Sequence, residues 1–90
     1  MLLHPDEIQK SISTYGWKFE DGKIIKTFDF EYYLDGVEFI KKIAPIAERL
    51  NNHPDINLGY CKVNIGIHSH DLGGVTTKCI NLATSIESVS

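Results

Sequence analysis

Hydrophobic and polar positions repeat along the chain with two different periods, which together predict helices and strands. Apolar residues recur at helical spacing from Ile8 to Tyr15, behind Pro5 and two acids that suit a first helical turn. Residues 17–30 then alternate on both sides of a Gly-bearing turn at residues 20–23. The first third of the chain is therefore predicted to be a helix followed by a β-hairpin.

The longest helical segment runs from Tyr33 to Leu50, and Asp29 is a candidate for its N-cap by residue type. Pro45 lies inside this segment and is expected to kink it. Its apolar residues form two rows on the helix surface. One row is enough to cover a sheet, so we expect the second to pack against a partner subunit. The first row is Tyr33, Val37, Ile40, Ala44 and Ala47, and the second is Phe39, Ile43, Ile46 and Leu50.

The second half of the chain predicts another hairpin and a last helix. Residues 56–60 and 63–67 alternate, and Cys61-Lys62 between them is short enough for a two-residue turn. Thr76 is a suitable N-cap for the last helix. That helix carries its apolar residues on one side, namely Cys79, Leu82, Ala83 and Ile86.

The order of these elements, α-β-β-α-β-β-α, predicts an α+β fold in which a four-stranded antiparallel sheet carries helices on one face. The sequence has no linker or repeat, so we expect residues 1–90 to form a single domain. A core this small often needs disulfides, a metal or oligomerisation. Cys61 and Cys79 match no zinc or redox spacing. We therefore expect a homo-dimer or homo-tetramer built through the long helix.

Charge and hydropathy argue against several classes of protein. The formal net charge is −3 and acids flank both basic clusters, so direct nucleic-acid binding is not expected. No stretch approaches the roughly 20 apolar residues of a membrane span, so no membrane association is expected either. The first residues lack the basic flank and apolar run of a signal peptide, and we expect a cytoplasmic protein.

Histidines are the candidate chemical groups. His53 precedes Pro54 after the long helix, and His68 and His70 follow an apolar strand. Imidazole titrates near neutrality, so two such rings converging on a cleft suit general acid–base catalysis. On the residues alone, a surface or capping role stays open for each. A metal site of His53, His70 and Cys79 is disfavoured, because these residues belong to three elements without paired-ligand spacing.

The sequence around these histidines resembles the pterin-4a-carbinolamine dehydratases. That family carries Glu-x-x-x-His-His-Pro at the end of the long helix, then an aromatic residue, then a Ser/Thr-His-Asp/Glu stretch. Five residues separate Pro54 from Tyr60 and nine separate Tyr60 from His70, as in the family pattern. The matching segments here are Glu48-Arg49-Leu50-Asn51-Asn52-His53-Pro54 and Ser69-His70-Asp71.

The resemblance implies a reaction and a set of roles. The reaction is dehydration of a 4a-hydroxytetrahydropterin to the quinonoid dihydropterin, in pterin-cofactor recycling, by imidazoles without a metal or organic cofactor. His53 then binds and polarises the pterin, His70 is the acid–base residue at the 4a oxygen, and Glu48 orients the histidines. The strand end offers backbone groups to the flat pterin edge. The substrate-binding residues implied in this way are Asn51, Asn52, Pro54, His68 and Ser69.

Two residues depart from the family motif. Asn52 stands where the family has the first histidine of its pair, and an amide cannot donate a proton as an acid. Cys79 stands where the family has an Asp in the last helix, and is expected to be either a thiol at a helix N-terminus or a small buried residue. Family members also act as dimerisation cofactors of a transcription factor, and related folds assist RuBisCO assembly. A binding or assembly module is therefore the alternative function.

Overall fold

The computed structural model describes residues 2–90 and has the predicted α+β architecture. The elements are α1 (Pro5–Ile12), a 3-10 turn (Ser13–Tyr15), β1 (Lys18–Glu20), β2 (Lys23–Asp29), α2 (Tyr33–Leu50), β3 (Asp55–Gly59), β4 (Lys62–Ile67) and α3 (Thr77–Val89). The sheet order is β1-β2-β4-β3, with every neighbouring pair antiparallel, so that β4 lies inside the sheet. None of the helices in residues 2–90 is long and apolar enough to cross a membrane.

The first hairpin turns at Asp21 and Gly22, which have positive φ angles of 51° and 77°. Glu20 pairs with Lys23 across this two-residue loop. Glycine adopts positive φ at no steric cost and Asp tolerates it, so the loop matches the twist of the flanking strands. The hairpin predicted within residues 17–30 is confirmed.

The second hairpin turns one residue earlier than predicted. Gly59 pairs with Lys62, so the turn is Tyr60 and Cys61 rather than Cys61-Lys62. Cys61 has a φ of 61°, and Lys62 is already part of the β4 ladder. Tyr60 is consequently a turn residue that is 81% exposed. The alternation of apolar residues extends one residue beyond the end of β3, because a two-residue period does not show where strand pairing stops.

Helix α2 begins after Tyr32, so the assignment of Asp29 as its N-cap is wrong. Asp29 is the last residue of β2 and pairs with Lys62. The N–H of Phe30 then donates to the carbonyl of Cys61 at 2.9 Å, which extends the strand contact by one residue. Strand pairing therefore includes Asp29, although aspartate is a residue type that favours helix N-caps. The helix continues without interruption to Leu50.

The core lies between the helices and one face of the sheet. Val63, Ile65 and Ile67 of β4 are no more than 2% exposed. Lys62 and Asn64, which alternate with them, are exposed. Because successive side chains of a strand point to opposite faces, this pattern means that the helices cover a single face.

The two apolar rows of α2 have the opposite placement from the one predicted. The second row, expected at a partner subunit, lies in the core of its own subunit: Phe39, Ile43 and Ile46 are 3%, 0% and 8% exposed. Helix α3 packs on α2 and supplies a second covering surface besides the sheet. Most of the first row lies at the margin of the core, where Tyr33 is 44% exposed and Ala44 is exposed, whereas Ala47 is buried.

A partly buried polar contact joins the first hairpin to α3. Lys26 Nζ lies 2.7 Å from Glu87 Oε2, and Trp17 Nε1 donates to the same oxygen at 3.0 Å. The Lys26 and Glu87 side chains are only 21% and 15% exposed. An ion pair in this position is screened less than one on the surface, so it contributes to holding α3 over the hairpin.

Candidate functional site

Helix α2 ends in a turn built from two backbone hydrogen bonds. The Asn51 N–H donates to the carbonyl of Glu48 at 3.2 Å, and the Asn52 N–H donates to the carbonyl of Ala47 at 3.1 Å. Asn51 is in the left-handed region (φ 49°, ψ 45°), which asparagine tolerates. This pair of bonds is a Schellman motif, which fixes the direction of the chain into His53. Asn51 therefore ends the helix.

His53 folds back onto the last turn of α2. Its Nε2 lies 2.6 Å from Glu48 Oε1. A carboxylate oxygen only accepts, so Nε2 carries the hydrogen and Nδ1 keeps its lone pair in the neutral ring. The two side chains are 54% and 77% exposed. At that exposure the contact orients the imidazole more than it stabilises the fold.

A tight loop after β4 holds His70. The Ser69 N–H donates to the carbonyl of Gly74 at 2.6 Å, and the Gly73 N–H donates to the carbonyl of Ser69 at 2.9 Å. The Ser69 hydroxyl accepts from the Leu72 N–H at 3.1 Å. Gly73 has a φ of 71°, which favours glycine at this point of the loop. Ser69 thus closes the loop with both its backbone and its side chain.

Histidines from two distant segments meet here. His70 Nε2 lies 3.5 Å from the carbonyl oxygen of His53, which can only accept a hydrogen bond. The rings of His68 and His70 have centroids 4.4 Å apart and are inclined at 55°. Together with Glu48, these three residues form what we term the histidine cluster: Glu48, His53, His68 and His70. Half-buried Pro54 leads from the cluster into β3.

The side chain of Asn52 binds elsewhere. Asn52 is 8% exposed, and its Nδ2 donates to Cys79 Sγ at 3.7 Å. Thr76 Oγ1 lies 3.6 Å from the same sulfur. Thr76 is the N-cap of α3, as predicted, but its side chain makes no capping hydrogen bond. Cys79 is 0% exposed, which confirms the expectation of a small buried residue.

Asp55 is a member of the site that the sequence did not indicate. It is the first residue of β3 and pairs with Gly66, next to the end of β4. Its Oδ2 lies 3.9 Å from His68 Nδ1. A single acid at a strand start looks like ordinary surface, so only the pairing of β3 with β4 reveals this contact.

A depression with a volume of about 780 Å³ lies on the uncovered face of the sheet. Its walls combine apolar surface with polar side chains, which include Asp55, Asn57 and Asn64. The histidines themselves do not line it, but Asp55 belongs to both regions, so the cluster borders the depression. Imidazoles are groups suited to general acid–base chemistry, so the cluster is the candidate for such chemistry.

A metal site is not found among residues 2–90, where no group of three His, Cys, Asp or Glu side chains is arranged to hold an ion. The metal site of His53, His70 and Cys79, which the sequence disfavours, would have to combine a core residue with a surface residue. Cys79 lies in the core, whereas His53 is exposed.

A four-stranded antiparallel sheet under three helices, with histidines gathered at one end of an inner strand, defines a class of small α+β proteins. Comparison with known families identifies which one. The chain belongs to the pterin 4 alpha carbinolamine dehydratase family, whose model matches residues 1–89.

Individual relatives agree with this assignment. A protein from Sulfolobus acidocaldarius is 38% identical over 90 residues, covering 99% of both chains, and one from Herpetosiphon aurantiacus is 40% identical over 74 residues, covering 82% of this chain and 77% of its own. Both bear the name pterin-4-alpha-carbinolamine dehydratase on a provisional basis.

Two solved structures share the fold. A transcriptional coactivator/pterin dehydratase from Brucella melitensis superposes with a TM-score of 0.92 and 25% identity, covering 99% of this chain and 98% of its own. A pterin dehydratase-like RuBisCO assembly factor of the α-carboxysome has a TM-score of 0.66 and 23% identity, covering 81% and 84%. The second similarity is one of fold alone.

Proposed function

We propose that the protein is a dehydratase that converts a 4a-hydroxytetrahydropterin to the quinonoid dihydropterin, in pterin-cofactor recycling. The observation that carries the proposal is the convergence of His53, His68 and His70 in a chain of this family. Family membership supports the reaction class. The histidine cluster supplies the side chains that such a reaction needs.

The reaction requires two proton transfers. The hydroxyl at the 4a carbon leaves as water once its oxygen has gained a proton, and a ring N–H gives up a proton as the new C=N bond forms. His70 acts at the 4a oxygen, where its hydrogen bond to the carbonyl of His53 leaves Nδ1 available. General acid–base catalysis of this kind contributes about 100- to 10,000-fold to a rate.

The remaining residues bind the pterin or hold the groups that act on it. His53 binds and polarises the pterin, with its ring oriented by Glu48 at 2.6 Å. Asn51 and Pro54 set the turn, and the backbone at His68 and Ser69 meets the flat edge of the pterin. Asn52 supports the turn from the interior, since its side chain is occupied by Cys79.

The test is a direct assay of the purified protein on a synthetic 4a-hydroxytetrahydropterin, with His70→Ala beside it. We expect the parent to accelerate loss of water and His70→Ala to lower kcat by about 100- to 10,000-fold with a much smaller effect on pterin binding. The matched control is His4→Gln, at an exposed position before α1. Equal turnover in the parent and His70→Ala would contradict the assignment of His70.

We also propose that the subunits associate as a homo-dimer or homo-tetramer through the first apolar row of α2. Tyr33 is 44% exposed and the neighbouring Leu34 is 69% exposed. Exposed apolar surface of this kind marks contact sites in soluble proteins. The family resemblance favours the same helix as the interface.

A second candidate function is a binding or assembly module with weak or no catalysis. It is favoured by Asn52, an amide at a position where the family has a titratable imidazole. Exposed aromatic surface suits such a role too, since Tyr33 and Tyr60 stack at 6.4 Å and Tyr60 is 81% exposed. The solved relatives include a coactivator and a RuBisCO assembly factor. Absence of turnover together with absence of pterin binding would favour this function over the dehydratase.

A further inference from the structure

His68 has a side-chain environment of its own, which the family motif does not account for. It comes directly after β4 and precedes the Ser69-His70-Asp71 stretch that carries the resemblance. Its ring lies against that of His70, with centroids 4.4 Å apart. The side chain is 25% exposed, so part of the ring reaches solvent and is accessible to a substrate.

The two ring nitrogens of His68 differ in their surroundings. Nδ1 is buried and has no hydrogen-bond partner among residues 2–90. The carboxylate of Asp55 faces it, with Oδ2 at 3.9 Å. A hydrogen on Nδ1 is favoured beside a carboxylate, and the lone pair of the neutral ring then lies on Nε2. A carboxylate behind an imidazole orients the base in catalytic triads in the same way.

The backbone fixes this arrangement. Asp55 pairs with Gly66 in the β3–β4 ladder, and His68 follows Gly66 by two residues. Catalytic hydrogen bonds are often long before substrate binds, so 3.9 Å is compatible with a contact that tightens in the complex. The carboxylate and the ring are therefore held beside each other before substrate arrives.

We propose that His68 is a second catalytic residue of the dehydratase, acting as the base, and that Asp55 is its positioning residue. This inference rests on the proposed function. His70, as imidazolium, gives its proton to the 4a oxygen, the C4a–O bond breaks and water leaves. Nε2 of His68 takes the proton from the ring N–H, whose electron pair forms the C=N bond. The sum is loss of one water, and a proton passed from His68 to His70 resets the site.

With His68 as the base, the site has a second proton-carrying side chain, which Asn52 cannot provide. The side chain of Asn52 is bound to Cys79 and is 8% exposed, so it contributes no titratable group to the cluster. His68 provides a second imidazole beside that of His70, in the segment after β4 rather than in the turn that contains Asn52. The two proton transfers are then divided between adjacent rings.

The first test compares His68→Gln and His68→Asn with the parent. Both variants keep an amide that can hydrogen-bond, but neither can carry a proton. We expect each to lower kcat by about 100- to 10,000-fold, while binding of a dihydropterin product analogue stays nearly unchanged. His4→Gln serves as the matched histidine control and is expected to retain the parent rate.

The second test examines Asp55 through the tautomer of His68. In ¹⁵N NMR spectra at a pH where the ring is neutral, the parent is expected to show the hydrogen on Nδ1 of His68. Asp55→Asn should shift the population toward the other tautomer and lower kcat more than it raises KM. Asp55→Glu, which keeps the carboxylate, should recover part of both.

The outcomes separate this inference from the function on which it rests. A parent without dehydratase turnover overturns the proposed function, and the role of His68 with it. An active parent whose His68→Gln and His68→Asn variants retain the parent rate overturns only the role of His68. If the variants do not fold, the spectrum of the parent decides, because a hydrogen on Nε2 rather than Nδ1 contradicts the proposed base.

Discussion

Nδ2 of Asn52 donates a hydrogen bond to Sγ of Cys79, 27 positions away in the sequence and inside the protein, at 3.7 Å. Each of the two residues replaces a titratable residue of the family motif, a histidine and an aspartate. Their contact brings the two departures from the motif together inside the protein, where burying a charged group is costly.

Coupling between Asn52 and Cys79 is the first prediction. Asn52→His alone leaves a buried imidazole against a thiol, and Cys79→Asp alone buries a carboxylate beside an amide. Each is expected to lower the free energy of unfolding by about 1–3 kcal/mol. The double variant should recover at least about 0.5 kcal/mol relative to the sum, because each new side chain supplies the other with a partner. Urea unfolding of the four proteins measures this, and simple additivity would show that the residues act independently.

The contact of Glu48 with His53 gives a second prediction. Glu48→Ala removes the group that orients the imidazole and is expected to lower kcat by up to about 100-fold, since a misplaced catalytic group costs this much. Glu48→Gln keeps a carbonyl acceptor and should retain most of the rate. If Gln and Ala are equally damaging, the negative charge rather than the orientation of the ring is what matters. Thermal unfolding is expected to change little, because Glu48 is 77% exposed.

The polar contact under α3 gives a stability prediction that involves no catalytic residue. Glu87→Ala removes the acceptor of Trp17 Nε1 and the carboxylate partner of Lys26 Nζ, which keeps the carbonyl of Tyr15, and is expected to cost about 1–3 kcal/mol. Glu87→Gln keeps an acceptor for the indole and should cost less. Lys26→Met combined with Glu87→Ala should cost less than the sum, since no unpaired cation then remains. Urea unfolding measures each value, and equal costs for Ala and Gln would count against the shared acceptor.

Two substitutions on α2 separate its buried side from its proposed contact surface. Ile43 is 0% exposed, so Ile43→Glu is expected to unfold the subunit, because the core offers that carboxylate no partner. Ala44→Glu, at an exposed position of the first row, should leave a folded subunit and dissociate the oligomer. Lys42→Glu introduces the same side chain elsewhere on the helix and should do neither.

Circular dichroism and analytical sedimentation report both properties at once. A parent that sediments as a single 10.2 kDa chain at micromolar concentration would rule out the association. A folded, associated Ile43→Glu would contradict the burial of that side chain.

The sequence predicted what local signals encode. The residue types of Asp21-Gly22 indicate a turn at that position, and Thr76 indicates the start of α3. The register of the second hairpin was missed because the period-2 pattern continued into Tyr60, which belongs to the turn. The burial of Ile43 against α3 was missed because helical periodicity shows that a surface is apolar and does not show what covers it.

The sequence also indicates only part of the candidate site. The sequence singles out His53, His68 and His70 by their residue type and spacing, and their catalytic roles stay predictions. The contacts of Asp55 with His68 and of Cys79 with Asn52 arise only from the pairing of strands and the packing of helices. Such contacts leave no periodic trace in a single sequence.

The position of β4 bears on how the protein opens in solution. With β2 on one side and β3 on the other, its amides are expected to exchange with deuterium only when most of the sheet comes apart, whereas three-residue β1 at the edge can fray alone. His68 and His70 extend directly from that slowly exchanging strand. The half of the site that they provide should therefore survive the fluctuations that expose β1, and should be lost only when the whole domain unfolds.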